Sequence, residues 1–198
     1  MADQRRASAA DDEGRLIAAL LGREPRYAWQ VATRCPDGTP QVLLTAPVQW
    51  EEGRCHPFPT YLWLVCPRLK QEVARLESEG WVGRLEALLA GDRTLREEFL
   101  AGQRWIVGER WRHGPDGESR ERLPAKVRAL LEAVGIAGSR NPAAVKCLHA
   151  HLAQELAVGH NPLGRLLLRQ TGPCTAEPPC RAWMPVAAPG AAREEVEA

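Results

Sequence analysis

Phenylalanine, tyrosine and methionine are scarce in this chain, two of each in 198 residues, while tryptophan occurs seven times. Trp29, Trp63, Trp81 and Trp105 sit at core-like positions and are read as packing rather than as base-stacking platforms. Long apolar runs are missing: the run from Tyr61 to Cys66 is short against the ~20 residues a membrane span needs. The opening segment MADQRRASAADDEGRL has no apolar stretch behind its basic pair, which argues against a secretory signal. Neither sign of charge dominates, with 26 basic and 25 acidic residues and a net charge of +1, so no global field draws in nucleic acid or an anionic membrane. Paired C-x2-C spacing is absent, and no glycine-rich G-x-x-x-x-G-K-S/T phosphate loop is present. These absences lead to the expectation of a cytoplasmic protein whose partners are neither nucleic acid nor membrane, with a protein partner left open.

What is present favours one folded unit. Hydrophobic residues make up 44%, and a chain of this length buries about 70% of its unfolded surface without needing a staple. Residues 1–11 are polar and are expected to be disordered. Helical spacing begins at residue 12, with Leu16, Ile17, Leu20 and Leu21 on one stripe and Gly22 as a stop. Residues 27–34 and 41–46 flank the turn-rich Cys35-Pro36-Asp37-Gly38-Thr39-Pro40 and predict an antiparallel hairpin. A looser stretch follows around Trp50 and Gly53. The prolines of His56-Pro57-Phe58-Pro59 demand extended backbone, and the apolar run 60–65 predicts a central strand covered on both faces. Helices are expected from Pro67, over 81–89, over 95–111, from Pro124, from Asn141-Pro142 to about Val158, and briefly to about Leu168. A polar loop at 112–121 separates two of them. The fold class is then α+β: a small three-stranded antiparallel sheet covered by about six helices, forming a single domain over 12–170. Residues 171–198, rich in proline, alanine and glutamate, are expected to be a disordered tail.

Six cysteines, at 35, 55, 66, 147, 174 and 180, need an explanation other than disulfides if the protein is cytoplasmic. On a regular helix of about 100° per residue, Cys147 and His151 share a flank, and His149 lies about 160° away from His151. Cys35 and Cys66 each end a predicted strand. Convergence of Cys35, Cys66, Cys147 and His151 would supply a tetrahedral zinc set. Plain burial of thiols competes with it. A third reading makes Cys147 a nucleophile near a helix N-terminus, with His149 or His151 as base. Arg34 and Lys146 form a candidate anion site, weighed against ordinary surface ion pairs.

Several short motifs also occur in a fixed order: Leu21-Gly22-Arg23 with Pro25-Arg26, Arg34-Cys35-Pro36 with Gly38 and Pro40, Pro57-Phe58-Pro59-Thr60 with Tyr61-Leu62 and Cys66-Pro67, Leu76-Glu77 with Gly80, Val145-Lys146-Cys147-Leu148-His149, and Asn161-Pro162. In this order they resemble the bacterial family known as domain of unknown function 501, over about residues 21–168. Ala144 departs from a family pattern that places arginine there, and Cys55, Cys174 and Cys180 fall outside the shared motifs. The resemblance implies a bacterial cytosolic protein and assigns no reaction. Three functions remain in competition: a non-enzymatic interaction or regulatory protein with a structural zinc site; a small metal- or thiol-dependent, hydrolase-like enzyme using Cys147, His149 and His151; and a phosphate or nucleotide binder using Arg34 and Lys146.

Overall fold

The structure, a computed structural model, describes residues 2–112 and 122–175. The fold is α+β, as the sequence pattern predicts. Helix α1 spans Ala2–Leu21 and so begins well before residue 12, inside the segment expected to be disordered. Strands β1 (Trp29–Arg34) and β2 (Pro40–Thr45) form the expected hairpin. After them come β3 (Val48–Glu51), β4 (Arg54–Pro57) and β5 (Leu62–Leu64). Helices α2 (Pro67–Ser78), α3 (Trp81–Gly91), α4 (Arg93–Arg112), α5 (Ala125–Ala133), α6 (Leu148–Val158) and α7 (Pro162–Thr171) follow, with a 3-10 turn at Ile136–Gly138. The predicted polar loop lies almost wholly outside the described residues, as do Cys180 and the rest of the tail from residue 176.

The main sheet has the order β1-β2-β5, antiparallel throughout. The central strand is therefore β2, and the 60–65 segment pairs along one side only. The sequence suggested the reverse because both strands are apolar on both faces. In β2, Leu43 points to one face, where it packs with Ile17, Leu20 and Val65 under α1. Val42 points to the other and joins the main core with Leu62, Leu64, Leu69, Val73, Leu148, Leu152, Leu163 and Leu167. The stretch read as loose is a second, two-stranded sheet, β3-β4. Its turn residues Glu52 and Gly53 both have positive φ, 49° and 73°, which is what a tight hairpin turn requires. Glutamate at the first of these positions hides the signal that asparagine or aspartate would give.

Two buried contacts fix how the helices cross. At Gly164 of α7, a Cβ would lie 2.4 Å from the His151 carbonyl oxygen and 2.5 Å from Glu155 Cβ, so only glycine lets α7 approach α6 this closely. Arg110 of α4 is fully buried. Its guanidinium donates to the carbonyls of Leu131 (2.6 Å), Val134 (3.0 Å) and Gly135 (3.1 Å) at the end of α5. Burial pulls its pKa down to about 10, partly countered by Tyr61, and the group stays charged at neutral pH.

Candidate metal centre

The sequence places Cys147 inside a helix that begins at residue 142. In the structure α6 begins at Leu148, and Cys147 is its extended N-cap residue (φ −150°, ψ 113°). Residues 144–147 form no regular element. Carboxylates from two other helices hold this run: Glu86 of α3 accepts the Val145 N–H at 3.3 Å, and Glu77 of α2 accepts the Leu148 N–H at 2.9 Å. The second bond satisfies one of the orphan donors of the α6 N-terminus.

Starting the helix at Leu148 changes which groups can meet. The Cys147–His151 pairing expected from helical spacing is lost, and Cys147 and His149, expected to point apart, come together beside Glu77. One ligand atom from each of Glu77, Cys147 and His149 lies within 4.8 Å of the other two, and this is the one such group of three among the described residues. His149 Nε2 is 3.2 Å from the Lys70 carbonyl oxygen. A carbonyl only accepts, so Nε2 carries the proton and the Nδ1 lone pair of neutral His149 is left for another partner. Nδ1 stands 3.4 Å from Glu77 Oε1.

The electrostatics follow from these neighbours. Burial pushes the Cys147 thiol up, but His149 and the N–H of Ala150 outweigh it, and the net direction is below the ordinary thiol value. No formed cap bond reaches the sulfur; the Ala150 N–H acts as a nearby dipole. Burial also disfavours the His149 cation, yet Cys147, Glu77 and the Lys70 carbonyl raise it on balance. Cys147 and His149 line a cleft of about 320 Å³ together with Arg23, Trp63, Leu64 and Lys70.

Residues 31–169 match the profile of the family described as Protein of unknown function (DUF501). The chain belongs to the DUF501 family. No protein of curated function and no solved structure matches it. The DUF501 span includes Trp63, Lys70, Glu77, Cys147 and His149, and leaves out Arg23 and Cys174.

The other residues singled out in the sequence are distributed elsewhere. Cys35 is bound up in its own turn, donating to Asp37 Oδ1 (2.8 Å) and lying 3.3 Å from the Thr39 carbonyl. Cys66 is buried with its sulfur 3.8 Å from that of Cys174, so the residues just after α7 pack into the core where a mobile tail was expected. His151 is enclosed, against Phe99 and 3.1 Å from Asn161 Nδ2, and burial lowers it to about 4. The four-ligand set of Cys35, Cys66, Cys147 and His151 is thus not assembled as one group. Arg34 pairs with Glu13 and donates to the Gly38 carbonyl. Lys146 is exposed, and among the described residues no bond joins it to Arg34. Sequence reasoning missed Glu77. Its one signal was its place in a family motif, beside Leu76, without an assigned role.

Proposed function

We propose that this protein is a zinc-dependent enzyme of the hydrolytic kind, in which Glu77, Cys147 and His149 hold one ion and the fourth position opens on the cleft. The observation carrying this reading is the approach of the Glu77 carboxylate to the Cys147 thiol and the His149 imidazole, the latter two at the wall of a cavity. Two ligands at 2.0–2.1 Å from zinc with tetrahedral angles lie about 3.3 Å apart; His149 Nδ1 and Glu77 Oε1 are separated by 3.4 Å. The Lys70 carbonyl fixes the imidazole tautomer through the other nitrogen, as outer partners of metal-bound histidines commonly do. The Leu148 N–H orients Glu77 in the same way. A set of three protein ligands is the pattern of catalytic zinc, whereas structural sites are closed by four. Bound zinc supplies Lewis acidity and brings a water pKa to about 7. The chain's own residues orient the ligands and, through Trp63 and Leu64, give the cleft an apolar wall. None of the five described cysteines forms a disulfide, in keeping with work in a reducing cytosol.

Metal analysis of protein purified without chelator tests the reading. About one zinc per chain is expected, falling below about 0.1 in Cys147→Ser and in Glu77→Gln, with Cys66→Ser unaffected. Metal-free protein that also refuses added zinc would overturn it. A second reading rests on the position of Cys147 before the first turn of α6 with His149 against it: the pair would act as thiolate and imidazolium, with Cys147 as nucleophile. In that case metal-free protein should react with iodoacetamide at Cys147 near neutral pH, and His149→Ala should slow the reaction at least tenfold.

A further inference from the structure

The cleft beside the centre carries an uncompensated positive charge. Lys70 and Arg23 both line it, and among the described residues neither is paired with a carboxylate. Lys70 is partly buried, with Nζ anchored 3.0 Å from the Leu20 carbonyl. The Arg23 guanidinium lies 5.1 Å over the Trp63 ring and donates to the Glu24 carbonyl at 3.2 Å. One carbonyl occupies one of its five N–H donors, so donors remain for a ligand. The end of α1, where Leu20 and Leu21 join a packed cluster with the sheet, both holds the Lys70 ammonium and leads directly into Arg23.

A charge count identifies what fits. Zinc with a thiolate, a carboxylate and a neutral imidazole sums to zero, so Lys70 and Arg23 leave the cleft with two positive charges. Guanidinium and ammonium groups are the usual partners of phosphate oxygens, and here one residue of each kind lines the same cavity. Trp63, Leu64 and Ala137 line the remainder and offer apolar surface to a carbon body. From this juxtaposition we infer that the cleft binds a phosphate dianion carried on a small organic molecule, with Arg23 and Lys70 on the phosphate and the organic part against Trp63. This assignment rests on the zinc reading for its charge count, but the two cations do not depend on the metal for their place. It also relocates the anion site from Arg34 and Lys146.

Isothermal titration with inorganic phosphate and with phenyl phosphate, on zinc-loaded and zinc-free full-length protein, tests the assignment. Both should bind with one-to-one stoichiometry to the loaded protein, and phenyl phosphate at least threefold more tightly. Arg23→Gln and Lys70→Met should each weaken both ligands at least tenfold while circular dichroism and zinc content stay unchanged. Loaded wild-type protein that binds neither phosphate would overturn the inference and leave the zinc reading intact. Binding that is unchanged in both variants would overturn it as well, because the metal alone would then be holding the anion. Binding to a protein that takes up no zinc, still weakened by either substitution, would support the phosphate site and sink the zinc reading.

Discussion

His149 and His151 sit two residues apart on one helix and have opposite environments. His149, in the first turn of α6, reaches back to α2, keeps part of its surface exposed, and meets a carboxylate, a thiol and a carbonyl that all favour its protonated form. His151 faces α4 and α7, is enclosed by Phe99 and Asn161, and is held neutral by burial. The difference comes from what packs on each side of the helix, since the helix itself is common to both. Asn161 illustrates the division of labour: its side chain caps α7 through the Gly164 N–H at 2.9 Å while its amide nitrogen serves His151 and Gln154. The His151 side is a closed structural network, and the His149 side is an open set of ligands.

The comparison can be broken most severely at the α6–α7 contact. Gly164→Ala forces a methyl group into the His151 carbonyl and should cost about 3 kcal/mol or more, measured by chemical denaturation, because backbone on one side cannot yield. Acid acts next. The folded-state pKa of His151 is about 4, against 6.5 for the free group, so the unfolded chain binds the extra proton between those values. The stability tied to His151 is complete above pH 6.5 and falls by about 1.4 kcal/mol for each pH unit below it, down to about pH 4. Imidazole resonances of the metal-free protein check this directly: His151 should titrate near 4, and His149 above the ordinary histidine value because of its carboxylate and thiol neighbours. The smallest effect belongs to the open side. His149→Ala in metal-free protein should change stability by less than about 1 kcal/mol, while it abolishes zinc uptake. A loss of several kcal/mol there would mean that His149 is structural after all.

Much of the fold was readable from periodicity. The β1-β2 hairpin and the proline-led helix α2 carry local signals of the kind that turn chemistry and helical spacing provide. Strand order was not readable, because β2 and the 60–65 segment have the same two-faced apolarity and only tertiary packing decides which lies inside. The site was half readable. Cys147 and His149 were visible as candidates, but the prediction joined Cys147 to His151, since Asn141-Pro142 looks like a helix start. Glu77 and Glu86 hold 145–148 from distant helices and delay the helix to Leu148, and no local pattern reports a carboxylate more than fifty residues upstream. Cys174 was misjudged for a similar reason: its partner Cys66 is 108 positions away, and the composition of the tail speaks for mobility.

Arg110 has a consequence for how the molecule comes apart. A buried cation held by three backbone carbonyls cannot be left behind in an apolar interior. If the end of α5 lifted away while α4 stayed docked, the guanidinium would lose all three at once. Opening of α5 alone is therefore suppressed, and α4, α5 and the turn at 136–138 are bound into one cooperative unit. The small core under the β3-β4 hairpin, built on Val48, Leu123 and Leu131, inherits through Leu131 a rigidity that its few side chains would not provide.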